Sequence, residues 1–334
     1  MLPDTPSFRV ERHDTNLELR QEMANAKKCG VIRASSLLLS AFLILGCSLA
    51  SPIPESSELK AGRSTIQIKF SEVVPQEYRR LIQNWVSDGA EAVTSVYDRF
   101  PVARLTVAVR VTRGRDVADG VTFDGRLIRI SVGEGVTRDT LRSDWKMTHE
   151  MFHLGFPTTD EGRDWMGEGV STYAEPFARA RAGQLSEEEV WRGFVEGLPN
   201  GLPRRHDRGL DRTPTWGRTY WGGALFWLMA DLEIRKRSGN GKSLDNVLRA
   251  IAREGGDGST YWPAAKIFQR GDAAIGMPVL EELHARMGSQ PVTPDLSSMW
   301  RQLGVSIQGK KVVFTQDAPL AAIRRSMTER RKHS

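Results

Sequence analysis

Two short stretches constrain this chain more than anything else in it. The first is His149-Glu150-Met151-Phe152-His153, a His-Glu-x-x-His pattern. The second is Trp165-Met166-Gly167-Glu168-Gly169, which places Glu168 fifteen residues after His153. On a helix, residues four apart lie one turn above each other on one face, so His149 and His153 can aim two imidazole nitrogens at one point. The helix itself is legible. Leu141, Trp145, Thr148 and Phe152 follow an i, i+4, i+7, i+11 stripe, widened by Met147, Met151 and Leu154. Gly155 is placed to end it and Pro157 to prevent its resumption. A second helix is expected from near Trp165 to about Ala182, stopped at Gly183, with Pro176 kinking it or ending it early. The polar residues 156–164 between them let the second helix double back and bring Glu168 to the histidines.

Two His and one carboxylate, with a position left for water, form the donor set of a catalytic zinc site. The expectation is one Zn2+ per chain, held by His149, His153 and Glu168. Glu150 flanks the cation without needing to bind it. It can take a proton from a water that the cation has made acidic. Such a pattern hydrolyses peptide bonds, so the expected partner is a peptide or protein. Thr172 and Glu175 lie four and seven residues after Glu168, on its face of the helix, and either could accept the other N–H of a ligand imidazole. Both cysteines, Cys29 and Cys47, lie near the N-terminus, which leaves the domain beyond them no thiolate ligand and no disulfide.

Taken together, His149-Glu150-x-x-His153 and Trp165-x-x-Glu168-Gly169-x-x-x-Tyr173-x-Glu175 resemble the gluzincin zinc metallopeptidases, and within these the glycyl aminopeptidase family, relatives of the alanyl-type aminopeptidases. Residues 220–251 are similar to the helix-turn-helix that follows the site in that family. The resemblance implies that Tyr220, at its head, stabilises the oxyanion, a task suited to a phenol donor. It implies an α+β fold: a thermolysin-like gluzincin catalytic domain with a small N-terminal sheet lobe followed by a mainly helical lobe. Two departures bear on activity. The family's Tyr-x-Lys-Gly is here Tyr220-Trp221-Gly222-Gly223, and the Gly-x-Met-Glu-Asn motif that holds a substrate's free amine is absent upstream. Glu134 is a weak stand-in for that amine ligand. An envelope endopeptidase and an inactive gluzincin-like binding module are therefore the alternatives to an aminopeptidase; the intact Glu150 and Tyr220 argue against the inactive module.

The N-terminal region reads as an address. Lys27, Lys28 and Arg33 precede the apolar run 37–45, the layout of an export signal and too short to count on as a membrane span. Met23 is an alternative start. Ile44-Leu45-Gly46-Cys47 resembles a bacterial lipobox, which implies lipidation at Cys47; cleavage after Ala50 is the rival. The expected location is the bacterial cell envelope, lipid-anchored outside the cytoplasm, or else secreted or periplasmic, so the membrane is a second partner. The expected organisation is residues 1–47 signal, 48–63 linker, 64–255 catalytic, 256–315 a helical continuation and 316–334 a basic tail. The net charge of +6 is mild for 334 residues and the signs are mixed, which gives no case for nucleic-acid binding.

Within the catalytic part, Ile66, Ile68 and Phe70 alternate as a strand, Pro75 opens a helix to about Tyr97, and Leu105, Val107, Val109 and Val111 form a second strand. Asp124-Gly125 signals a hairpin between Val121–Phe123 and Arg126–Val132. The latter strand is the candidate edge for pairing with an extended substrate. Ser186 with Glu189 predicts a capping box for a helix over 187–196, and Ser243 caps another. Gly241-Lys242-Ser243 lacks the upstream glycine of a phosphate loop. Residues 197–219, rich in Gly, Pro and Arg, read as a long loop near the cleft. Its His206 reads as solvated. Helices are expected over Pro278–Met287 and Asp295–Leu303, with a last strand at Lys311–Phe314.

Overall fold

The structure, a computed structural model, describes residues 56–309 and 311–330. The signal region, with Met23, Cys29 and Cys47, lies outside them. Alternating apolar residues build a five-stranded sheet from β1 (Ser56–Ala61), β2 (Ser64–Phe70), β3 (Arg104–Thr112), β4 (Val117–Phe123) and β5 (Leu127–Gly133), in the order β1-β2-β3-β5-β4. The pairs β2–β3 and β3–β5 are parallel; β1–β2 and β4–β5 are antiparallel. Ile66, Ile68, Phe70, Leu105, Val107, Val109, Ile128, Ile130 and Val132 are buried on one face. Helix α1 (Gln76–Tyr97) joins this face to the helical lobe: the Tyr78 hydroxyl donates to the Val132 carbonyl at 3.3 Å, and α1 also packs on the helices that carry the site.

The hairpin forms as its sequence predicts. Asp124 and Gly125 both take positive φ, 47° and 60°, and the Arg126 N–H donates to the Phe123 carbonyl at 3.1 Å. The edge assignment is corrected. β5 lies between β3 and β4, so its backbone is already paired, and β4 is the free edge on that side. The hydrophobic pattern of β5 could not distinguish an inner strand from an outer one, because both bury one face.

The stripe that begins at Leu141 is divided between two helices, α2 (Arg138–Ser143) and α3 (Lys146–Phe152). Asp144 is extended at ψ 136°, and its carboxylate accepts from the Lys146 N–H at 2.8 Å, which restarts the chain as a new helix. His153 opens a 3-10 turn that ends at Gly155. Helix α4 (Trp165–Arg181) passes through Pro176 without stopping there and ends before Gly183, which takes φ 76°. Helix α5 (Glu187–Gly197) has the reciprocal Ser186–Glu189 capping box. Helices α6 (Gly223–Arg237) and α7 (Leu244–Arg253) follow, the latter capped by Ser243. Lys242 reaches the Ile275 carbonyl at 2.8 Å, a structural contact. The C-terminal part adds α8 (Ala264–Ile275), α9 (Val279–Met287), α10 (Leu296–Leu303) and the β6–β7 hairpin (Val305–Gln308, Lys311–Phe314).

Two further expectations fail. Ser56–Ala61 is a strand paired with β2, so the 48–63 stretch is not a linker throughout. Residues 321–328 form helix α11 (Ala321–Thr328) instead of a loose tail. Arg324 is completely buried, pairs with Glu187 at 2.9 Å, donates to the Leu303 and Gly304 carbonyls and lies over the Phe314 ring. A basic composition looks solvated in sequence; here buried acceptors waiting for a guanidinium take one Arg out of that composition.

Candidate metal centre and catalytic cleft

Helix α3 divides its sides between packing and chemistry. Met147 and Met151, four apart, face α1 at Gly89, where an added Cβ would lie 3.2 Å from Met147 Cγ and 3.3 Å from Met151 Sδ. That close approach leaves His149, Glu150 and His153 together, their ligand-capable atoms all within 4.8 Å of one another. Glu168, from α4, completes the group. Its Oε2 lies 3.1 Å from His149 Nε2 and 3.4 Å from His153 Nε2. His149, Glu150 and Glu168 are buried and His153 nearly so.

Glu168 reaches the histidines because α4 and α6 cross without side chains between them. A Cβ on Gly169 would lie 2.5 Å from the Gly223 Cα, and one on Gly223 would lie 2.2 Å from the Trp165 carbonyl oxygen. The Trp227 indole then donates to the Met166 carbonyl at 3.0 Å. Gly223, which keeps the glycine of the Tyr-x-Lys-Gly pattern, must be Gly for the helices to touch; at Gly222, where that pattern has Lys, an added Cβ would lie 3.1 Å from Leu210 Cδ2.

The same crossing sets Tyr220. It lies in a short π-helical turn (Arg218–Gly222) that leads into α6, and its ring stacks on the His149 ring at 6.0 Å and 24°. Such π-turns are frequent at functional sites. Trp216 flanks Tyr220 at 6.3 Å, and Trp145 meets His149 edge-on at 4.9 Å. The turn is anchored from beneath. Buried Arg218 pairs with Asp207 at 2.9 Å and donates to the Gly201 carbonyl at 2.5 Å.

Glu150 and Glu168 are told apart by their partners. The Thr122 hydroxyl, on β4, lies 2.8 Å from both the Glu150 carbonyl and its Oε2. Gly120, two residues earlier on the same face, would bring a Cβ within 3.2 Å of Glu150 Cγ. Glu150 is thus held from the sheet side, while Glu168 points at both imidazoles. Sequence reasoning missed Thr122. Its strand and face were readable, but its partner 28 residues away was not.

The donor set fits a divalent zinc ion. Two imidazoles and a carboxylate converge, and His153 Nε2 is buried with no hydrogen-bond partner among the described residues, as a nitrogen reserved for a metal would be. Of the two supporting candidates, Glu175 pairs with Arg179 at 2.6 Å and burial raises its pKa, an effect opposed by Arg179 and by His149. The buried Thr172 Oγ1 has no hydrogen-bond partner among the described residues. Glu134 is exposed, with its N–H on the Thr112 carbonyl. His206 is exposed in a left-handed conformation at φ 72°. Asp119, which the sequence did not single out, sits where β4 bulges between Val117 and Gly120, and its buried Oδ1 has no hydrogen-bond partner among the described residues.

No family model matches the chain, and no curated protein matches it. Solved structures do. An aminopeptidase N family protein from Idiomarina loihiensis superposes with a TM-score of 0.60 at 14% identity, over 79% of this chain and 53% of that one. A point mutant of a two-domain M1 zinc metallopeptidase, bound to L-arginine, superposes with a TM-score of 0.50 at 14% identity, over 73% of this chain and 53% of that one. The fold is therefore a mixed α+β one shared with these structures, an N-terminal sheet followed by a helical lobe. The chain spans about half the length of the structures it matches. No helix among the described residues is long and apolar enough to cross a membrane.

Proposed function

We propose that this chain is a zinc-dependent peptidase and that its favoured mode is removal of residues from free N-termini. The observation that carries the reading is the convergence of His149, His153 and Glu168 beside a separately held Glu150. Zinc bound there would supply Lewis acidity, polarising the scissile carbonyl and bringing the pKa of a water toward neutrality. Glu150 then accepts the proton of the attacking water and passes it to the leaving amine. The Tyr220 phenol donates to the oxygen on which negative charge develops. The free edge of β4 pairs with the extended substrate backbone. The shared fold with an aminopeptidase N family protein supports the N-terminal mode, and we assign recognition of the substrate's ammonium to Asp119. The missing Gly-x-Met-Glu-Asn motif favours the second reading, an endopeptidase. A mixed peptide library digested with the purified protein and read by mass spectrometry separates them. Ladders of singly trimmed N-termini are expected; internal cuts would overturn the exopeptidase mode.

We also propose that the protein is exported and lipid-anchored at Cys47. Lys27, Lys28 and Arg33 before the apolar run, and Leu45-Gly46-Cys47 after it, support this. The mature N-terminus, read by mass spectrometry from a bacterial host, is expected to be a diacylglyceryl-modified Cys47. A native terminus at Ser51 would contradict it.

A further inference from the structure

The loop over residues 202–216 carries four arginines and two aspartates. Its acids are turned inward. Asp207 pairs with buried Arg218 at 2.9 Å and accepts the Gly209 N–H at 2.8 Å. Asp211 accepts from Arg163 at 3.1 Å, Trp165 Nε1 at 3.0 Å and His284 at 2.9 Å. Burial would raise the Asp211 pKa, but the His284 and Trp165 hydrogen bonds and the nearby charges outweigh it and hold the carboxyl below its usual range. Arg204, Arg205, Arg208 and Arg212 are all exposed, and none pairs with a carboxylate among the described residues. The loop thus spends its negative charge on its own anchorage and presents its positive charge to solvent.

The backbone beneath these arginines is fixed. Gly209, at φ 90°, lies against the Gly288 carbonyl, which also accepts the Asp211 N–H at 2.9 Å. Leu210 is buried against Gly222, two residues past Tyr220. Asp207 holds Arg218, two residues before Tyr220, and the Trp216 ring lies tilted against Tyr220 at 6.3 Å. The cationic face is therefore built onto the turn that carries the proposed oxyanion donor. Exposed guanidinium groups on a backbone fixed to that turn raise the local concentration of anionic ligands, and guanidinium geometry matches carboxylates.

We propose that this loop selects peptides bearing acidic residues near the scissile bond, through Arg204, Arg205, Arg208 and Arg212. The inference rests on the peptidase reading. Its test compares two peptides of equal length and identical scissile residues, one with Glu and Asp flanks and one with Gln and Asn. The purified wild-type protein is expected to cleave the acidic peptide roughly tenfold faster in kcat/KM at low salt, mainly through KM, with the preference shrinking near 0.5 M salt. In the R204Q/R205Q/R208Q/R212Q variant the acidic peptide should fall to the level of the neutral one. Equal cleavage of both peptides by the wild type, or a preference that survives in the variant, would overturn the proposal. The Glu150→Gln protein and a fluorescein-labelled acidic peptide provide a reading without turnover: anisotropy should show tighter binding than the neutral peptide and lose it in the arginine variant. That binding result in a protein that cleaves neither peptide would sink the peptidase reading while keeping the charge selection. Arginine-dependent sedimentation with phosphatidylserine vesicles, and no discrimination between the peptides, would make the loop a membrane contact and overturn the substrate role.

Discussion

Glu150 and Glu168 are both buried carboxylates beside the same two imidazoles, yet their neighbours give them different work. Glu168 Oε2 faces both His Nε2 atoms, whereas Glu150 Oε2 is taken up by the Thr122 hydroxyl at 2.8 Å. If Thr122 aims the base, Thr122→Val should keep stoichiometric zinc and lose roughly 10- to 100-fold in kcat. Unchanged kcat in a folded, zinc-loaded T122V protein would show that α3 alone positions Glu150. The pairing of His149 with His153 and the place of Glu150 were readable because helical spacing is local; Glu168, on another helix, stood out only through its Trp165-x-x-Glu168-Gly169 setting. Thr122 was not readable, because it meets Glu150 from a sheet edge whose place in the strand order no local pattern encodes.

Among elements, the α4–α6 crossing decides whether Glu168 reaches the two histidines. Glu168 and Tyr220 come from different helices, and both depend on the backbone contact between Gly169 and Gly223. Gly169→Ala would place a Cβ 2.5 Å from the Gly223 Cα, so the helices must part. The expected cost is about 1–3 kcal/mol of stability from overpacking, with weakened zinc affinity as Glu168 withdraws. Denaturant titration and zinc dialysis measure the two effects; wild-type values for both would contradict the crossing's role. Gly223, which keeps the glycine of the Tyr-x-Lys-Gly pattern, is a packing requirement. Conversely, the period-2 pattern of β5 suggested a substrate edge, and only the pairing of three strands shows that β4 holds that place.

At the scale of the molecule, the sheet lobe supplies a free edge and the Thr122 contact to Glu150, and the helical lobe carries the proposed ligands and the proposed oxyanion donor. The C-terminal part closes over both. The Gly258 N–H donates to the Leu154 carbonyl at 3.1 Å, and Thr158 exchanges backbone hydrogen bonds with Thr260 and Trp262 just past the second histidine. Sequence composition placed a basic tail after residue 315, but the buried Arg324 makes that segment part of the core. Class and lobe order were legible because periodicity and caps are local; the closure was not, because its partners lie over a hundred residues apart. The most direct test of the central claim pairs zinc content with peptide cleavage in wild type and Glu150→Gln. One zinc per chain in both proteins is expected, with cleavage lowered in the variant about 10²- to 10⁴-fold, the usual worth of a positioned base. A wild type that binds no zinc, or a variant that cleaves as fast as the wild type, would contradict it.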